Sequence, residues 1–64
     1  MPIIRVEMLK GRTVEQKRAL AEKLTDSFIE ACGGNKASIN VLISDVEAED
    51  WAIGAKLLSD PPAN

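Results

Sequence analysis

Apolar and polar residues alternate from Ile3 to Leu9, with Ile4, Val6 and Met8 on one side and Arg5 and Glu7 on the other. A period of two predicts a strand with one covered face. After a short turn, Lys10-Gly11-Arg12, the period lengthens to that of a helix. Leu20, Leu24, Phe28 and Ala31 form one apolar stripe, while Arg18, Glu22 and Asp26 face water. Thr13 and Gln16 fit a capping box at the start of this helix, the threonine hydroxyl accepting from the Gln16 amide while the glutamine reaches back. The helix runs to about Cys32, where Gly33-Gly34 supplies a left-handed stop. Alternation returns from Ile39 to Ser44, setting Ile39, Val41 and Ile43 against Asn40, Leu42 and Ser44. Two strands joined by a helix favour a parallel pair with a right-handed crossover.

From Glu47 to Ser59 the chain turns and then reads as a short apolar hairpin around Trp51-Ala52-Ile53-Gly54-Ala55, suited to packing on a neighbouring subunit. Asp60 to Asn64 is expected to fray. The predicted fold is α+β: one domain over residues 1–64, a single β-α-β unit with parallel strands and a C-terminal hairpin, completed by oligomerisation. Composition supports that last step. A chain of 64 residues buries only about 60% of its unfolded surface, yet 45% of the residues are hydrophobic. One cysteine permits no internal disulfide, and the lack of histidine removes the common metal ligand. Self-association is the remaining stabiliser for so small a scaffold, and each strand has an open edge to offer. A net charge of −2 and scattered basic residues argue against a nucleic-acid partner. No apolar run approaches a membrane span and no signal peptide is present, so a cytoplasmic protein is expected.

The residue that most invites chemistry is Pro2. Methionine removal before proline would leave a secondary amine at the head of an apolar strand. An α-amine titrates near ~8, and desolvation or a nearby cation disfavours its charged form. Such a base suits an enolisable carbon acid. Proline is equally admissible as an ordinary first strand residue, where no ladder donor is needed. Cys32 reads as a buried, inert thiol, since no histidine exists to activate it. Glu47, Glu49 and Asp50 read as a solvated acidic turn without the ligand spacing of an established cation site.

Pro2, the run Leu9-Lys10-Gly11-Arg12-Thr13 with Glu15-Gln16-Lys17, and the tail Trp51-Ala52-Ile53-Gly54 together resemble the 4-oxalocrotonate tautomerase family over nearly the whole chain. The resemblance implies a homohexamer built as a trimer of dimers. It also implies cofactor-independent and metal-independent tautomerisation of an enol or keto acid such as 2-hydroxymuconate. In that family Pro2 corresponds to the general base and Arg12 to the arginine that polarises the substrate. A guanidinium fork suits a carboxylate or enolate oxygen, and a cation close to a helix N-terminus stands against the local dipole. Trp51 corresponds to the aromatic wall of the site. Asn40 departs from the pattern, because the best-known members carry a second arginine there. Related dehalogenases pair the turn arginine with another near the end of the first strand; here that neighbourhood is Met8-Leu9-Lys10, so hydrolytic dehalogenation is disfavoured. Two other readings remain: a subunit that keeps the fold without the site, and a decarboxylase or hydratase on the same scaffold.

Overall fold

The computed structural model describes residues 1–62. Strand β1 (Ile3–Leu9) leads to helix α1 (Val14–Cys32), a 3-10 turn (Lys36–Ser38) and strand β2 (Asn40–Val46). A second 3-10 turn (Ala48–Asp50) precedes two short strands, β3 (Ala52–Ile53) and β4 (Lys56–Leu57). The β1 and β2 strands pair in parallel, in register from Ile3 opposite Asn40 to Leu9 opposite Val46. β3 and β4 form a separate antiparallel hairpin. This is the predicted β-α-β unit with its hairpin.

Local chemistry accounts for the element boundaries. The Gln16 amide donates to Thr13 Oγ1 at 3.1 Å and the Thr13 amide to Gln16 Oε1 at 2.9 Å, closing the capping box. At the other end Gly33 adopts φ 78°, and its N–H donates to Ile29 O at 2.7 Å. The hairpin turns through Gly54 and Ala55, at φ 58° and 68°. Two consecutive left-handed residues give the backbone twist that a tight hairpin needs. Ala55 bears a steric cost there that glycine does not.

β2 differs from the predicted Ile39–Ser44 at both ends. Asn35 caps the preceding 3-10 turn by accepting from the Ala37 amide at 3.0 Å, and the Ile39 amide donates back to Lys36 O. Ile39 therefore closes that turn instead of opening the strand. Asp45 and Val46 continue the pairing because Met8 and Leu9 still lie opposite them.

The sheet's two faces are unequal. Ile4, Val6 and Met8 are half-buried with Val41 and Ile43, on the face toward the half-buried helix residues Leu20, Leu24, Phe28 and Ile29. Ala31, placed in that stripe by its spacing, is exposed: a methyl in the last turn reaches least far as the chain leaves through Gly33. Cys32 is also exposed, so the expected buried thiol is corrected. Among the described residues no hydrophobic side chain is fully buried, while Thr25 keeps 8% exposure. On the uncovered face Ile3 is 59% and Leu42 45% exposed. The radius of gyration is 15.5 Å, against roughly 11 Å for a compact chain of this length. A lone subunit thus leaves its apolar surface unfinished. Asp60, expected to fray, closes a turn by accepting from the Leu57 amide at 3.1 Å. Ala63 and Asn64 lie outside the described residues. No helix among the described residues is long and apolar enough to cross a membrane.

Candidate active site

Pro2 is half-buried where β1 begins, and its carbonyl accepts from the Asn40 amide at 3.0 Å. That bond belongs to the parallel ladder, so the backbone beside Pro2 is held by the sheet itself. Asn40, half-buried opposite Ile3, donates from Nδ2 to Ser38 O at 3.3 Å. A carbonyl can only accept, which fixes the amide orientation. One amide hydrogen is therefore engaged locally, and among the described residues the second N–H and the Oδ1 have no hydrogen-bond partner.

Arg12 lies beyond the opposite end of β1, exposed, with Nη1 donating to Leu9 O at 3.3 Å. Trp51, half-buried, follows the second 3-10 turn, and its carbonyl accepts from the Leu58 amide at 2.8 Å, which pins the hairpin beside it. A cavity of about 460 Å³ opens here, lined by Glu7, Val46, Asp50, Trp51 and Ala52. Nearby, the Lys10 amide donates to Val46 O at 2.9 Å and Lys10 Nζ meets Glu47 Oε1 at 3.1 Å. β2 ends at Val46, so Arg12 and Trp51 belong to the same end of the sheet.

The four residues singled out by sequence thus fall into two pairs, Pro2 with Asn40 and Arg12 with Trp51. β1 has seven residues, and a rise of about 3.3 Å each separates its ends by roughly 20 Å. Among the described residues no side-chain hydrogen bond or ion pair links one pair to the other. Sequence reasoning did not pick out Glu7 and Asp50 as cavity walls. The signal for Glu7 was its place on the uncovered face of β1; for Asp50, its adjacency to Trp51. Lys17 and Asp45 were also passed over. They are 29% and 33% exposed and meet at 2.6 Å, joining the first turns of α1 to β2.

The family described as "Tautomerase enzyme" matches residues 2–61. A 2-hydroxymuconate tautomerase of Bacillus subtilis (strain 168) is 43% identical over 60 residues, covering 94% of this chain and 97% of that protein. The crystal structure of YwhB, a homologue of 4-oxalocrotonate tautomerase, superposes with a TM-score of 0.90. The two chains are 41% identical, over 95% of this chain and 100% of that one. A heterohexamer 4-oxalocrotonate tautomerase from Chloroflexus aurantiacus J-10-fl superposes with a TM-score of 0.86 at 30% identity, covering 94% and 97%.

Proposed function

Since the chain belongs to the 4-oxalocrotonate tautomerase family, we propose that it is a keto–enol tautomerase for a 2-hydroxydienoate or α-keto acid such as 2-hydroxymuconate. The observation that carries the proposal is the position of Pro2, half-buried with its carbonyl in the β1–β2 ladder. With Met1 removed, a secondary amine stands at a fixed point of the sheet. Its nitrogen takes the proton of the substrate's 2-hydroxyl, leaving a dienolate and a prolinium. The prolinium returns that proton to C3 or C5, and the product is the isomeric 2-keto acid. No atom is gained or lost, so the step calls for no cofactor.

The developing oxyanion needs a cation, and Arg12 supplies the fork for it. Because Pro2 and Arg12 are at opposite ends of β1, the proposed site takes them from two chains. A relative that is a heterohexamer supports assembly of this kind, and we assign the homohexamer, a trimer of dimers, to this chain. Asn40 offers its free N–H to a substrate oxygen, and Trp51 keeps water from the site. A second reading, a subunit that depends on an unlike partner for its chemistry, draws on the missing charge at Asn40.

Intact mass and an ultraviolet ketonisation assay on 2-hydroxymuconate, 2-hydroxypenta-2,4-dienoate and phenylenolpyruvate test the proposal together. Protein lacking Met1 is expected to be active, increasingly so as pH rises and the amine loses its proton. Protein retaining Met1 is expected to be inactive, because its Pro2 nitrogen is an amide. Full activity with Met1 in place would refute the role of Pro2.

A further inference from the structure

The cavity beside Trp51 combines apolar walls with two carboxylates. Val46, Trp51 and Ala52 line it together with Glu7 and Asp50, and its volume is about 460 Å³. That is roughly three times the ~150 Å³ that holds a benzene ring, so a substrate tail of several carbons fits. Glu7 and Asp50 come to this place from distant parts of the chain. Glu7 lies opposite Ser44 in the parallel ladder, on the face that the helix leaves bare. Asp50 returns to the end of β2 because the second 3-10 turn closes on itself. Its amide donates to Glu47 O at 2.9 Å, and the Trp51 amide donates to Ala48 O at 3.4 Å.

The lining contains no cation, and neither carboxylate is in an ion pair among the described residues. The basic residues at the same end of the sheet are engaged elsewhere. Lys10 Nζ meets Glu47 Oε1 at 3.1 Å, and Arg12 Nη1 donates to Leu9 O at 3.3 Å. Two negative charges therefore stand beside the ring without a local counter-charge.

We propose that Glu7 and Asp50 are specificity-determining residues, which bias the site against a carboxylate on the substrate's tail and towards a monocarboxylate enol or keto acid with an uncharged tail. This rests on the tautomerase reading, in which Arg12 holds the carboxylate next to the reacting oxygen and Trp51 walls the site. A substrate held at that end of the sheet has its tail within the field of the cavity. An uncharged conjugated tail meets the Trp51 ring and the Val46 side chain, whereas a carboxylate there meets two like charges. Asn40, the donor assigned to a second carboxylate, is neutral and does not offset the repulsion. The two carboxylates thus act in the same direction as the missing charge at position 40. Both are exposed, so water screens them, and each is expected to change selectivity by about threefold to tenfold, not by orders of magnitude.

Neutralisation tests the proposal on the full chain. The readout is the ratio of kcat/KM for 2-hydroxymuconate to that for 2-hydroxypenta-2,4-dienoate, in which the shared carboxylate cancels. Glu7→Gln and Asp50→Asn should each raise this ratio about threefold or more, and the double variant about tenfold or more. Asp50→Glu, which keeps the charge, should keep the wild-type ratio. Glu22→Gln removes a charge from the exposed side of α1, and should also leave the ratio unchanged. The proposal is overturned if the folded double variant stays within twofold of wild type, or if Glu22→Gln moves the ratio as far. Should the double variant unfold by circular dichroism, the single variants decide by the same criterion.

A binding measurement separates this proposal from the tautomerase reading. Sorbate and muconate differ in a terminal methyl against a carboxylate, and neither has the 2-hydroxyl needed to tautomerise. Trp51 is the chain's one tryptophan, so its fluorescence reports on the cavity directly. The double variant should shift the ratio of dissociation constants towards muconate about tenfold. Such a shift in protein inactive on every substrate would retain the charge selection and count against the tautomerase reading. An unshifted ratio, or no binding of either ligand to wild type, overturns the proposal.

Discussion

Replacing Asn40 by arginine changes the charge at the Pro2 end of the sheet and should alter substrate preference more than fold. Asn40 has two amide hydrogens, and one is committed to Ser38 O at 3.3 Å. The wild-type residue can therefore give a substrate oxygen a single neutral hydrogen bond. Neutral bonds contribute about half as much as charge-assisted ones. The deficit against an ionic partner is on the order of 1–2 kcal/mol, roughly tenfold in rate. A monocarboxylate such as 2-hydroxypenta-2,4-dienoate has one carboxylate, which Arg12 can pair. The diacid 2-hydroxymuconate brings a second that meets only Asn40. Wild type should thus favour the diacid only modestly in kcat/KM, and Asn40→Arg should raise that ratio about tenfold. The variant loses the Ser38 contact, so a small fall in thermal midpoint is expected alongside. Steady-state kinetics on both substrates, at fixed ionic strength, gives the ratio directly. A wild-type preference of a thousandfold, or a ratio unchanged in Asn40→Arg, would remove position 40 from selectivity and refute this placement of the site.

Arg12→Ala should lower kcat/KM for both substrates by tenfold or more, since a charged hydrogen bond of about 1.5–3 kcal/mol is lost; an unaltered rate would dismiss its role. The same variant should leave thermal stability almost unchanged, since its bond to Leu9 O is exposed. Lys17→Met breaks the 2.6 Å pair with Asp45, and should cost about 1 kcal/mol or less, with the difference shrinking in salt. Thermal unfolding at one fixed protein concentration measures it, and a salt-independent loss would assign the effect to packing instead. Ala55→Gly relieves a left-handed φ of 68°, and should raise the midpoint by no more than the equivalent of ~1 kcal/mol. A lower midpoint would show that the methyl contributes more than its strain costs.

Which features were legible in the sequence follows from how far apart their causes lie. The capping box needs only Thr13 and Gln16, three residues apart, and the helix begins where those two place it. The alternation of β1 likewise names its covered face, because the period of two is a property of the strand alone. The ends of β2 were less legible. Its start depends on the Asn35 side chain choosing the Ala37 amide, and its end on how long β1 continues opposite it. Ala31 and Cys32 were misplaced for a related reason, since helical spacing gives a direction around the axis but not whether anything lies there.

The candidate site presents a further step of the same kind. Pro2, Arg12, Asn40 and Trp51 could be picked out one by one, yet their grouping into two pairs depends on the parallel register. In the proposed site the two pairs meet only across chains, so the sequence names the candidate residues one by one while the contact that would unite them lies between subunits.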